Sequence, residues 1–183
     1  MNKWKESELV RSLVGFFLLF LLFIGLFIFV VPSTHQSSKI AEKIKSIKNE
    51  KVTYVAIGDS LTQGVGDSSN QGGFVPVLSQ ALESDFDWQV TSRNYGIAGN
   101  TSNQILKRVQ EKKDIQRDLK KAKVMTLTVG GNDVIHVIKD NITNLNVDTF
   151  TKPAQAYQKR LGQIIELARK DNKTLPIYIV GIY

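Results

Sequence analysis

Between residues 52 and 183, short apolar runs alternate with segments whose apolar residues recur at helical spacing. The runs predict strands at residues 52–57, 124–129 and 176–182, and a further short strand fits residues 88–93. The intervening patterns predict helices at residues 74–82, 102–121 and 152–170. Strands that alternate with helices form parallel βαβ units with helices on both faces of the sheet. Ligands of such sheets bind at the carboxyl ends of the strands. We therefore expect functional residues directly after the predicted strands.

An uninterrupted apolar run of Leu, Phe, Ile, Val and Gly occupies residues 13–31. At about 1.5 Å per residue a helix of this length spans roughly 30 Å, the thickness of the hydrocarbon core of a bilayer. A cleavable signal peptide is the alternative, but its apolar region usually has only about 7–15 residues, and Val31-Pro32-Ser33 is a poor cleavage site. We predict an uncleaved transmembrane anchor at residues 13–31, preceded by a short flank at residues 1–12.

The lysine-rich segment after the anchor predicts a linker at residues 32–51, followed by one domain at residues 52–183. Long domains are translocated largely regardless of their charge, so we expect a single-pass protein of the cell membrane with an extracytoplasmic domain. Part of the formal net charge of +7 lies beside the anchor, where lysines attract anionic lipid headgroups. We therefore expect the membrane, and no nucleic acid, as the partner that explains the charge.

The composition excludes several kinds of chemistry. The chain has no cysteine, which excludes disulfides, thiolate metal sites and a cysteine nucleophile. The basic run at residues 107–123 contains acidic residues at helical spacing, and this pattern is typical of a solvated helix face.

The first predicted strand is followed directly by Gly58-Asp59-Ser60-Leu61. A serine on this strand-to-helix turn can be an exposed nucleophile, although the same triplet also occurs as an ordinary turn that caps the next helix. The nucleophile elbow G-x-S-x-G is excluded because position 62 is a threonine. The motif alone is therefore weak evidence for a nucleophile.

Glycine-containing loops follow the next two predicted strands as well. The loop at residues 94–102 contains Gly99, and its backbone amides suit an oxyanion donor. The third strand is followed by Gly130-Gly131-Asn132-Asp133, in which Asn132 offers a side-chain NH₂ group. Three such loops in order, each at the end of a strand, form a more specific pattern than any one of them.

The three blocks together resemble the first three blocks of the SGNH, or GDSL, hydrolase family. The resemblance covers most of residues 52–183 and implies a three-layer, flavodoxin-like α/β/α fold that hydrolyses esters or thioesters without a cofactor or metal. It also implies that Ser60 is the nucleophile and that the amide of Ser60, the amide of Gly99 and the side chain of Asn132 are the oxyanion donors. In this context we expect Asp59 and Asp133 to brace the loops by accepting backbone N–H bonds.

The family takes its catalytic base from a D-x-x-H block close to the C-terminus of the domain, where this chain has none. Its only histidines are His35, which we assign to the linker, and His136, for which the family pattern gives no catalytic role. The chain stops within its last predicted strand, so we expect the Asp-His pair to lie beyond Tyr183 and this fragment to be nearly inactive.

These observations predict a membrane-anchored serine ester hydrolase that acts on an acyl or lipid-like substrate. A carbohydrate O-acetyl esterase is the alternative within enzymes, because the same site would serve small acetyl groups. The alternative from another class is a non-catalytic, anchored binding module that retains the fold without a base.

Overall fold

The computed structural model of the chain describes Lys39, Lys43 and residues 50–180. The predicted flank, the predicted anchor and nearly all of the predicted linker lie outside these residues. Within them, no helix is long and apolar enough to cross a membrane.

Strands and helices alternate along residues 50–180, as the sequence predicts. In chain order they are β1 (Lys51–Gly58), α1 (Ser60–Gln63), α2 (Phe74–Phe86), β2 (Gln89–Gly96), α3 (Ser102–Glu111), α4 (Lys113–Lys121), β3 (Ala122–Thr128), α5 (Gly131–Asp140), α6 (Asp148–Ala168) and β4 (Ile177–Val180).

The strands form one parallel sheet in the order β2-β1-β3-β4. The chain leaves β1 toward one edge to make β2, and then crosses β1 to make β3 and β4 on its other side. The carboxyl ends of β1 and β3 are therefore neighbours at the point where the direction of winding reverses, which is where open α/β sheets bind ligands. This geometry brings the segments after Gly58 and Thr128 to the same position.

Helices cover both faces of the sheet, which confirms the predicted three-layer α/β/α fold. Successive residues of β1 point to opposite faces. Val55 and Ile57 are buried against α3, α4 and α6, whereas Tyr54 and Ala56 are buried against Val75 of α2. Right-handed crossovers explain this division, because the connection to β2 runs in the opposite direction from the connections to β3 and β4.

After β2, two helical features differ from the sequence-based predictions. The single helix predicted at residues 102–121 is interrupted at Lys112, which is extended (φ −87°, ψ 108°). The side-chain amide of Gln116 donates to the carbonyls of Val109 and Gln110, so it satisfies groups that the end of α3 leaves unpaired. The prediction also missed α5, which begins directly in the Gly130-Gly131 turn.

Candidate active site

The first segment of the site is the turn from β1 into α1. Asp59 is the N-cap of α1, and its Oδ1 accepts the N–H of Leu61 at 3.0 Å. Because Asp59 caps the helix, the Ser60 hydroxyl is not needed for that purpose. Ser60 is half-buried, and no side chain or backbone group of the described residues hydrogen-bonds to its hydroxyl. The serine is therefore available for chemistry.

A buried hydroxyl network beneath this turn fixes Asp59. The Thr128 hydroxyl donates to Asp59 Oδ1 at 2.9 Å and accepts the Asp59 N–H at 3.1 Å. Since its one proton goes to the carboxylate, Thr128 accepts its 2.8 Å hydrogen bond from the Thr62 hydroxyl. The end of β3 therefore determines the position of the residue before Ser60.

Two glycines allow the backbone of α1 to approach the strands closely. A Cβ at Gly96, the last residue of β2, would overlap the backbone of Thr62 and Gln63. A Cβ at Gly58 would overlap the hydroxyls of Thr62 and Thr128. These contacts lie next to Ser60 at the carboxyl ends of β1, β2 and β3.

The loop after β2 is tied to α1 through side chains. Asn94 donates from Nδ2 to the Thr62 carbonyl at 2.7 Å, and Gln63 Oε1 accepts the N–H of Ala98. Gly99 follows with φ +79°, a conformation that favours glycine. Within the described residues, the Gly99 N–H donates no hydrogen bond. An unpaired amide is thus exposed in a loop that is bound to the helix of Ser60.

The same loop is bound to Asn132 at the start of α5. Asn132 donates from Nδ2 to the carbonyl of Asn100 at 2.9 Å, so one amide hydrogen of Asn132 remains for another acceptor. Arg108 in turn donates to Asn100 Oδ1 at 3.3 Å and to the carbonyl of Tyr95 at 2.8 Å. Burial lowers the pKa of the Arg108 guanidinium. Asn132 and the residue after Gly99 are therefore in direct contact.

Asp133 joins the loops after β2 and β3. Its carboxylate accepts the N–H of Ser102 at 2.8 Å and also the Ser102 hydroxyl. Arg160 of α6 donates from Nη2 to Asp133 Oδ1 at 3.1 Å and from Nε to the Ser102 hydroxyl at 2.7 Å. Asp59 and Asp133 both accept backbone N–H bonds.

The two histidines do not complete the site among the described residues. His35 lies outside them, and His136 is exposed on α5. Asp133 and His136 have D-x-x-H spacing, but the Asp133 carboxylate binds Ser102 and Arg160, and no hydrogen bond joins it to His136. The described residues also contain no cluster of three or more His, Asp or Glu side chains that could hold a metal ion.

A pocket of about 310 Å³ opens between α5 and α6, beside the Asn132 loop. Its lining residues are Val129, Gly130, Asp133, Val134, Val137, Phe150, Pro153, Ala154 and Tyr157. The Tyr157 hydroxyl donates to the Val129 carbonyl at 3.3 Å. Burial, together with the negative charge of Asp133, raises the pKa of Tyr157.

Several residues that build the site were missed by sequence reasoning. Thr128 is a polar residue at the end of a largely buried strand, and this was the one available signal. Gln63, Arg108 and Arg160 lie on helices that carry many polar residues, so no pattern in the sequence distinguishes them.

Comparison with known proteins agrees with the fold. The family model for the GDSL-like Lipase/Acylhydrolase family matches residues 56–183. Among solved structures, the lipase Lip_vut3 from a goat rumen metagenome superposes with a TM-score of 0.66 at 26% identity, covering 72% of this chain and 64% of that chain. AlinE4, an SGNH-hydrolase family esterase, superposes with a TM-score of 0.52 at 25% identity, covering 73% of this chain and 60% of that chain.

Two curated relatives come from Bacillus. The uncharacterized protein YpmR of Bacillus subtilis is 33% identical over 153 residues, which are 82% of this chain and 59% of that protein. The spore germination lipase LipC of Bacillus licheniformis is 30% identical over 117 residues, which are 64% of this chain and 55% of that protein. The chain thus spans between half and two thirds of the length of these relatives, and it belongs to the GDSL-like lipase/acylhydrolase family of SGNH hydrolases.

Proposed function

We propose that the protein hydrolyses carboxylic esters of acyl or lipid-like substrates, with Ser60 as the nucleophile. The backbone N–H groups of Ser60 and Gly99 and the side-chain amide of Asn132 stabilise the oxyanion that forms when the serine attacks the carbonyl carbon. A preorganised donor of this kind contributes about 10²–10³ in rate.

One observation carries the proposal: the N–H groups of Ser60 and Gly99 are unpaired among the described residues, in loops that are hydrogen-bonded to one another. Ser60 begins α1, where the first N–H groups have no partner within the helix, and Gly99 is exposed, so both amides are accessible to a ligand. Two unpaired amides, together with the remaining hydrogen of Asn132, provide donors without a partner in the segments that follow β1, β2 and β3. The family match supports ester hydrolysis as the reaction that uses such donors.

The experiment is hydrolysis of p-nitrophenyl acetate by the full-length protein and by three variants. Ser60→Ala is expected to lower kcat by several orders of magnitude, on the order of 10⁶. Asn132→Ala should lower kcat by about 10²–10³ with a small change in KM. Ser84→Ala, at an exposed position on α2, is the matched control and should leave kcat unchanged.

Covalent labelling gives a second readout of the nucleophile. A fluorophosphonate reacts with activated serines, and mass spectrometry should locate the adduct on Ser60 and find none in Ser60→Ala. Undiminished ester hydrolysis by folded Ser60→Ala, or no hydrolysis of any ester by the full-length protein, would overturn the proposal.

We also propose that residues 13–31 anchor the protein in the cell membrane with the catalytic domain outside the cytoplasm. The proposal rests on the length of the apolar run. Fractionation should recover the protein with membranes until detergent is added, and protease applied to spheroplasts should digest the domain. If the domain resisted protease in intact spheroplasts, the proposed orientation would be wrong.

A further inference from the structure

The pocket between α5 and α6 shares its wall with the Asn132 loop. Gly130 precedes Asn132 by two residues, Asp133 follows it, and both line the pocket. The ring of Tyr157 closes one side, so near Gly130 that a Cβ there would lie 3.2 Å from the ring. A group bound in this pocket would therefore adjoin the carbonyl that Asn132 is proposed to hold.

The chemistry of the lining selects an apolar occupant. Six of the lining residues have side chains without any polar atom, namely Val129, Val134, Val137, Phe150, Pro153 and Ala154. The polar groups at the wall are already engaged, since Asp133 binds Ser102 and Arg160 and the Tyr157 hydroxyl binds the Val129 carbonyl. A polar ligand would give up its hydrogen bonds to water and find few free partners in the pocket. A hydrocarbon has no such hydrogen bonds to give up.

The size and access of the pocket suit a flexible chain. Its volume of about 310 Å³ lies at the lower end of the range of roughly 300–1,000 Å³ for small-molecule sites. Val134 lines the pocket and is 47% exposed, so the pocket is open to solvent.

We propose that this pocket binds the acyl chain of the ester, with the carbonyl end toward Gly130 and Asp133. The assignment rests on the proposed function and adds to it a preference for acyl chains longer than acetyl. Burial of apolar surface supplies the selectivity, because each methylene removed from water strengthens binding by at most about fourfold.

The test compares p-nitrophenyl acetate, butanoate, hexanoate and octanoate with the full-length protein. We expect kcat/KM to rise with acyl length in the wild type. Ala154→Phe places a ring at the pocket wall and should abolish the rise beyond butanoate. The matched control is Gln155→Phe, which adds the same ring at the next position of α6, outside the lining.

A second series, the acetates of alcohols of increasing length, tests whether the pocket holds the alcohol part instead. If Ala154→Phe removes a length preference in that series alone, the assignment to the acyl chain is overturned. It is overturned as well if Ser60-dependent hydrolysis of the acetate is normal but acyl length has no effect, or if both phenylalanine variants change the profile equally. Absence of any Ser60-dependent hydrolysis would instead refute the proposed function on which the assignment rests.

Discussion

Thr128 and Asp59 exchange two hydrogen bonds across the ends of neighbouring strands. The Thr128 hydroxyl donates to Asp59 Oδ1 at 2.9 Å and accepts the Asp59 N–H at 3.1 Å, and its side chain is buried. Asp59 in turn caps the helix that Ser60 begins. A side chain of β3 therefore orients the turn after β1, although 69 positions separate the two residues in the sequence.

We expect Thr128→Val to lower both stability and activity. The change leaves an N–H and a carboxylate oxygen of Asp59 without their buried partner, which costs about 1–3 kcal/mol of unfolding free energy. Because the turn also positions Ser60, a small displacement of the nucleophile should lower kcat by about tenfold or more. Urea unfolding and hydrolysis of p-nitrophenyl acetate by the full-length protein measure the two effects.

Thr126→Val provides a matched control on the same strand. Thr126 is equally buried, but its hydroxyl bonds to the Tyr54 hydroxyl at 2.7 Å and not to Asp59 in the turn before Ser60. A similar loss of stability with unchanged kcat is expected. Equal losses of kcat in both variants would show that Thr128 acts only through general stability.

Asp133→Ala should separate the loops after β2 and β3. It removes the acceptor for the Ser102 N–H and leaves Arg160, whose side chain is 25% exposed, without its ion pair. Hydrogen bonds to charged groups are worth about 1.5–3 kcal/mol, so we expect a loss of stability in that range. Displacement of Asn132 should lower kcat more than it raises KM.

Asp140→Ala is the control for Asp133→Ala, because Asp140 is an exposed residue at the end of the same helix. Its stability and kcat should stay close to those of the wild type. A kcat of Asp133→Ala equal to that of Asp140→Ala would contradict a positioning role for the Asp133 carboxylate.

Most of the fold could be predicted from the sequence because the four strand-like runs are short, β-branched and separated by helical periodicity. The break at Lys112 could not, since it depends on the side chain of Gln116 reaching back to two carbonyls of α3. The sequence did not predict α5 because the helix begins at Gly131, after the N-cap Gly130, and glycine is an unfavourable residue in helices.

The candidate site also has a part that the sequence predicts and a part that only the structure shows. The roles proposed for Ser60, Gly99 and Asn132 follow from the resemblance of the blocks after three strands to those of the SGNH family. The contacts that hold these blocks together join residues far apart in the chain, such as Arg160 with Asp133 and Arg108 with Asn100. No local pattern specifies such pairs, so they require the three-dimensional structure.

Tyr95 gives the domain a pH dependence in the alkaline range. Burial, with the hydrogen bond from Tyr95 to Asp118 at 2.8 Å, raises the pKa of Tyr95 to about 12, above the ordinary value of 10.0. Between these values the unfolded chain releases the phenolic proton while the folded protein retains it. The stabilisation is therefore complete below about pH 10 and is lost as the pH rises toward 12.

Tyr95→Phe should remove the contribution of Tyr95 to the pH dependence of the unfolding free energy. Urea unfolding of the full-length protein at several values between pH 8 and pH 11.5 should show a shallower decline of the unfolding free energy for the variant than for the wild type. Parallel declines in the two proteins would contradict the contribution of Tyr95.

Two glycine-to-alanine changes should have opposite effects on stability. At Gly96 the new methyl group would overlap the backbone of Thr62 and Gln63, which cannot turn aside as a flexible side chain can. Overpacking of this kind costs about 1–3 kcal/mol, and a shift of α1 should also lower kcat, since Ser60 begins that helix.

Gly162 lies within α6 with no atom near the position that a Cβ would take. Gly162→Ala should therefore stabilise the protein by about 0.5–1 kcal/mol, because alanine lowers the entropy of the unfolded chain, and it should leave kcat unchanged. Urea unfolding and ester hydrolysis of the two full-length variants check both signs, and a Gly96→Ala protein of wild-type stability and kcat would refute the close approach of α1 to β2.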